Sequence, residues 1–204
     1  MRLKRSTWFL AVVTLCCLGA APALWYLAHV GVLPATRWEA RWELLRRTSA
    51  ANTDAVTDDS FVSLRRTGCF GYCPIYHVTV FGSGRVEYVG EVHVCDVGPR
   101  TAMIGQESAA KLIADLAGAG YFEIDWKPGN RWTDDSTAVT RLSTNGRART
   151  IDEYHGDEGV PRVMRLFEDA IDEVAGTGRW LPKLEAGNLF CIAADGTRRP
   201  LAGS

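Results

Sequence analysis

From Trp8 to Leu33 the chain has no Asp, Glu, Lys or Arg. A water-soluble helix that long needs a polar face, and this run has none. It exceeds the roughly 20 apolar residues that cross the hydrocarbon core of a membrane. Arg2, Lys4 and Arg5 precede it, Trp8 marks one end, and Trp25 and Tyr26 stand near the other. At about 1.5 Å per residue the aromatic groups are roughly 25 Å apart, as an interfacial belt requires. The pattern predicts a transmembrane helix over residues 8–28 within an N-terminal anchor, residues 1–35. A cleaved signal peptide is the competing reading, with Ala21-Pro22-Ala23 as its cleavage site. Cleavage after Ala23 leaves the apolar Leu24–Leu33 as a new N-terminus, which favours the uncleaved anchor.

The basic cluster directly before the span places the N-terminus in the cytoplasm and the rest outside. The arginines after the span, Arg37, Arg41, Arg46 and Arg47, are interleaved with Glu39 and Glu43. Beyond the anchor 20 basic residues face 24 acidic ones, which argues against a nucleic-acid partner. Six cysteines are present. Cys16 and Cys17 lie in the apolar run, leaving an even set of four that suits an oxidising compartment. The expected location is the inner, cytoplasmic membrane, single-pass, with the C-terminal domain outside the cytoplasm.

Residues 36–60 read as a juxtamembrane helix and linker. Thr36-Arg-Trp-Glu39 has the form of a capping box. Trp38, Trp42 and Leu45 then form one helical stripe, which can rest on the membrane surface, extend the span or pack on the domain. Thr48–Ser60 has linker composition.

Residues 61–175 read as an α+β domain. Phe61–Arg66 predicts a short strand, and Tyr76–Phe81 and Arg85–Val89 predict a hairpin about Gly82-Ser-Gly84. Glu91–Val97 reads as a third antiparallel strand, with Val92 and Val94 inward and Cys95 on the outer face beside Glu91 and His93. Gln106–Ala117 carries the 3.6-residue period of an amphipathic helix. Asn145-Gly146 between two alternating runs is a strong hairpin signal. Val163, Leu166, Phe167, Ala170, Ile171 and Val174 stripe a last helix between Pro161 and Gly176. The order predicts an antiparallel sheet with two amphipathic helices packed on one face, preceded by one transmembrane helix. Residues 176–204 form a C-terminal tail expected to dock on the sheet.

Thr67-Gly-Cys-Phe-Gly-Tyr-Cys-Pro-Ile-Tyr76 is the most distinctive stretch. It resembles the T-x-C-F-G-x-C-P-x-Y signature of a bacterial family of small exported domains of unknown function. The similarity runs on through the glycine-turn hairpin, the first helix, Thr133-Asp134, the Asn145-Gly146 hairpin and Asp152-Glu-Tyr-His-Gly156. It covers about residues 61–175 and implies no activity, cofactor or catalytic residue. Cys95, Cys191 and the tail depart from the pattern.

The spacing of Cys69 and Cys73 is C-x-x-x-C and leads into a strand, whereas redox sites use C-x-x-C at a helix N-terminus. Cys69, Cys73 and His77 offer three metal ligands on an alternating strand, short of a tetrahedral set. A disulfide closing a tight loop fits better. By elimination Cys95 pairs with Cys191, with Trp180 or Phe190 covering apolar surface; a free Cys191 or a bridge between two copies is the rival.

Asp134 and Asp135 precede a strand, and His155 lies among acids in Asp152–Glu158. If these segments meet, Tyr76, Trp132, Asp134, Asp135, Tyr154 and His155 form a candidate binding surface. The leading expectation is a membrane-tethered, non-catalytic extracytoplasmic module that binds a protein, peptide or envelope component, with no cofactor and no metal. The alternatives are a metal-assisted envelope hydrolase using Asp134, Asp135 and His155, and a thiol–disulfide protein using Cys69 and Cys73.

Topology is testable with phosphatase and fluorescent reporters fused after Ser204. Active phosphatase without cytoplasmic fluorescence is the expected outcome, and the reverse pattern overturns the orientation.

Overall fold

Alternation of apolar and polar residues sets the sheet. In β1 (Phe61–Arg66), Val62 and Leu64 are fully buried while Arg65 is exposed. β2 (Ile75–Phe81) buries Val78 and Val80, and β3 (Arg85–Val92) buries Val86 and Tyr88. The computed structural model that describes this architecture covers residues 42–43, 53–125, 127, 134–157, 159–193 and 195–201. Its further elements are β4 (Gly98–Met103), α1 (Gln106–Ala119), β5 (Thr137–Thr144), β6 (Arg147–Tyr154) and α2 (Arg162–Ala175). Six strands form one antiparallel sheet in the order β4-β3-β2-β1-β5-β6. This is an α+β fold with an antiparallel sheet and two helices.

Register lines the apolar residues into rows. Leu64 faces Val78 on one side and Thr140 on the other, and those pair onward with Tyr88 and Ile151. Val62 does the same with Val80 and Leu142. Over these rows lie Leu112, Ile113 and Leu116 of α1 and Val163, Phe167 and Ile171 of α2, all in one core. Each such side chain contributes about 1.5–3 kcal/mol when fully buried. Both helices stop where a glycine takes the left-handed conformation and its N–H caps the last turn. Gly120 does so at φ 101° and Gly176 at φ 66°.

The separate strand expected over Glu91–Val97 is not formed: Glu91 and Val92 end β3, and the next strand, β4, begins at Gly98. Two constraints explain the shift. His93 has a positive φ of 52°, which breaks an extended run. The chain then folds back so tightly over Gly90 that a Cβ there would stand 2.1 Å from the Asp96 carbonyl oxygen. Val94 is buried as expected, but Val92 is largely exposed, and Cys95 sits in the β3–β4 turn rather than on a strand face.

The tail folds as a separate three-stranded sheet of β7 (Lys183–Glu185), β8 (Asn188–Ile192) and β9 (Arg198–Pro200). A Cys95–Cys191 disulfide, Cα–Cα 5.5 Å, ties it to the β3–β4 turn. The Cys95 N–H donates to the Trp180 carbonyl at 2.8 Å, and Arg199 donates to the Cys95 carbonyl at 2.9 Å. Trp180 stacks on Tyr88 with ring centroids 4.4 Å apart, while Phe190 lies under the Arg198 guanidinium.

No helix among the described residues is long and apolar enough to cross a membrane; the predicted span over residues 8–28 lies outside them. From the juxtamembrane helix, Trp42 and Glu43 are described and helical. Trp42 is 1% exposed and meets Phe167 of α2 edge-on, with centroids 5.0 Å apart. At this residue the tryptophan stripe packs on the domain. Trp42→Ala should therefore cost about 3–5 kcal/mol and lower the melting temperature by roughly 10 °C. Thermal unfolding followed by circular dichroism checks this; an unchanged midpoint would remove Trp42 from the core.

Candidate functional site

At one end of the helix-covered face the inward positions turn from apolar to charged. β1 runs Val62, Leu64, Arg66; β6 runs Ile151, Glu153; and β2 begins its inward set with Tyr76. Arg66 pairs with Tyr76 on one side and Ala138 on the other, and Ala138 pairs with Glu153. α2 lays Glu168 and Asp172, one turn apart, over these positions. Both helix residues border the apolar stripe of Phe167 and Ile171.

Arg66 uses its whole guanidinium here. Nη1 donates to Glu168 Oε2 at 2.7 Å, Nη2 to Asp172 Oδ2 at 2.8 Å, and Nε to the Tyr76 hydroxyl at 2.9 Å. The Tyr76 hydroxyl donates to Asp172 at 2.7 Å, and the Thr177 hydroxyl donates to the same carboxylate at 2.8 Å. Beside this network, His155 Nε2 lies 3.0 Å from Glu168 Oε2 and its Nδ1 lies 3.2 Å from the Ser136 hydroxyl. Arg165 Nε stands 3.3 Å from Glu153 Oε1 and its guanidinium donates to the His155 carbonyl. Glu153 and Glu168 are 1% and 2% exposed. Glu153 Oε2 and Glu168 Oε1 are buried without a hydrogen-bond partner among the described residues.

Burial, and after it the adjoining Glu168 carboxylate, push the Glu153 pKa well above the usual carboxylate range. Glu168 moves the opposite way. Burial alone would raise it, but His155, Glu153 and Arg66 together hold its charged form. Burial also raises the Tyr76 pKa, followed by the Asp172 charge, so its hydroxyl stays protonated and donates. Arg66 loses solvation, which opposes its charge, yet Tyr76, Asp172 and Glu168 more than restore it.

The second feature is the loop between β1 and β2. Cys69 and Cys73 are joined, Cα–Cα 5.6 Å. The loop is also tied down by hydrogen bonds. Thr67 N–H donates to the Thr137 carbonyl and Thr137 N–H to the Thr67 hydroxyl, both at 2.9 Å, and Phe70 N–H donates to the Asp134 carbonyl at 3.1 Å. On the other side His93 Nδ1 lies 3.3 Å from the Cys73 carbonyl. Its ring meets Tyr72 edge-on, 5.1 Å between centroids. Phe70 is nevertheless 92% exposed and Tyr72 57%.

Residues 60–175 match the family described as Domain of unknown function (DUF6438). The chain belongs to this family. No curated protein matches it significantly. The DUF6438 match contains the Cys69–Cys73 loop and the buried network except Thr177; Trp42, Cys191 and the tail sheet also lie outside it. The family supplies no activity, so the site has to be read from its chemistry.

The six residues expected as one surface are divided. Tyr76 is a correction: it is 1% exposed beneath α2 because strand alternation turns it inward with Val78 and Val80. Tyr154 is also buried, its hydroxyl accepting from the Asp135 N–H at 3.3 Å. Asp134 and Asp135 are exposed in the turn before β5, and Trp132 lies outside the described residues. His155 is close in sequence pairing to Ser136, but its ring faces Glu168 and Glu153 rather than the two aspartates. Among the described residues, Glu153, His155 and Glu168 are the group whose ligand atoms converge, all within 4.8 Å of one another. Arg66, Glu168 and Asp172 belong to no motif in the sequence, and Glu153 stands there as one acid of the Asp152–Glu158 run. The signal was present in the period: Arg66 and Glu153 continue inward rows.

Asp172→Asn leaves Arg66 short of its principal anion, and breaking a largely buried pair of this kind costs about 3 kcal/mol. Tyr76→Phe removes one hydrogen bond and should cost about 1 kcal/mol. Urea unfolding of both variants checks the order; equal midpoints to the parent would contradict it.

Proposed function

We propose that the protein is a membrane-tethered extracytoplasmic binding module, non-catalytic, whose Cys69–Cys73 loop docks a protein, peptide or envelope component. One observation carries the reading: Phe70 is held almost wholly in solvent by a covalent staple and flanking hydrogen bonds. A buried Phe would contribute about 1.5–3 kcal/mol to the fold, and this loop withholds it. Tyr72 beside it and the exposed Val92, next to His93, extend the apolar area. An aromatic anchor on a preorganised loop fits the way interfaces concentrate their affinity, because little conformational entropy is lost on docking.

Two features speak against thiol–disulfide chemistry. The loop opens into β2 rather than a helix, so the helix dipole that lowers a thiol pKa is missing. The sulfurs are used to fix a shape. The tether rests on the uncharged run Trp8–Leu33, and the extracytoplasmic side on the basic residues before it and on the paired cysteines.

Photo-crosslinking in the native envelope tests the docking surface. A photoreactive phenylalanine at position 70 should give a discrete adduct, and the same group at the exposed Leu184 of β7 should not. Phe70→Ala should leave stability unchanged within about 0.5 kcal/mol and abolish capture by a probe at position 72. Equal adducts at 70 and 184, or undiminished capture in Phe70→Ala, would reject the loop as the docking surface.

A further inference from the structure

We propose that Glu153, His155 and Glu168 form a site for one divalent transition cation of the zinc type, with a coordination position left for water or an outside ligand. Three elements bring the ligands together. Glu153 ends an inward row of β6, and His155 follows two residues on, just past the strand. Glu168 reaches down from α2. Zinc bonds to nitrogen and carboxylate oxygen are about 2.0–2.2 Å long, so tetrahedral ligand atoms lie roughly 3.3–3.5 Å apart. Here His155 Nε2 is 3.0 Å from Glu168 Oε2 and 4.0 Å from Glu153 Oε1. All three ligand atoms fall within 4.8 Å. Small side-chain adjustments bring such a set to bonding distance.

The second, independent observation is the pair of orphaned oxygens. Glu153 and Glu168 are almost wholly buried, and apart from each other's carboxyl group Glu153 Oε2 and Glu168 Oε1 have no hydrogen-bond partner among the described residues. A buried carboxyl oxygen without a partner is costly, and a cation between the two groups gives both a partner. Arg66 and Arg165 already approach one oxygen of each, Glu168 Oε2 and Glu153 Oε1. His155 is oriented for the task, because Ser136 engages Nδ1 and leaves Nε2 on the carboxylate side. A nitrogen ligand with two carboxylates suits zinc or manganese better than magnesium or calcium, which prefer all-oxygen shells. The His155 side chain is 15% exposed, which gives an entry path.

Zinc chloride titrated calorimetrically into the full chain in detergent tests the site. The expected result is one zinc per chain and a melting temperature that rises with free zinc, with no response to magnesium. Glu153→Gln and His155→Gln should each weaken zinc at least tenfold while circular dichroism shows the parent fold. Glu153→Gln keeps the shape of the side chain, so it remains informative even if His155→Gln unfolds. Absence of zinc binding up to millimolar concentration by the folded chain, or equal affinity in Glu153→Gln, would overturn the proposal. A failed docking experiment at Phe70 leaves this result untouched, since the two sites share no residue.

Discussion

Arg66 holds the sheet to its covering helix. It is the last inward residue of β1, the central strand that pairs with both β2 and β5. Its three guanidinium nitrogens reach Glu168, Asp172 and Tyr76, so one side chain joins β1, β2 and α2. The apolar rows could be covered by α2 in several positions along its axis, since dispersion and burial are not directional. A guanidinium fork against two carboxylates one turn apart is directional. It fixes the rotation and height of α2, and with them the place of Glu168 beside His155. Charge this deeply placed adds little net stability compared with apolar packing. Its contribution is position.

Much of the fold was legible because local signals agreed with one another. Asn145-Gly146 marked its hairpin, and Pro161 and Gly176 bracketed α2. The failure at Glu91–Val97 is equally instructive. Val92, Val94 and the β-type residues around them alternate as a strand should. The chain instead turns at His93 and presses Asp96 against Gly90, a tertiary contact that no local period reports. β4 then begins at Gly98, whose neighbours Pro99 and Arg100 do not read as a strand at all.

The candidate site was less legible than the fold, for a different reason. Glu153, Glu168 and Asp172 look like ordinary surface acids in sequence, and His155 looks like part of an acidic loop. Only the register of β1 with β5, and of β5 with β6, brings residues from β1, β6 and α2 to one end of the sheet. Those pairings cross more than seventy positions of chain between Arg66 and Ala138. Tyr76 closes the distinctive cysteine segment, yet it lies in the core and not on the surface. Strand alternation with Val78 and Val80 already turned it inward, so period outweighs proximity to a motif.

The two disulfides act over different distances. Cys69 and Cys73 are four positions apart, so closing their loop is worth about 2 kcal/mol in the chain-entropy picture. That is modest for global stability but sufficient to hold a short loop in one shape with Phe70 in solvent. Cys95 and Cys191 are 96 positions apart, for which the same picture gives about 4–5 kcal/mol as an upper bound. Their link fastens a small sheet, β7 to β9, whose outer strands are exposed and which has little apolar area of its own. Trp180 on Tyr88 and the buried Leu201 are its main apolar holds. Most of the core, Val62, Leu64, Val78, Phe167 and Ile171 among it, lies within residues 60–175, with Trp42 and Trp180 joining it from outside. The tail depends on its link to the domain, and the domain receives from it the Trp180 ring over Tyr88 and the Thr177 hydroxyl on Asp172.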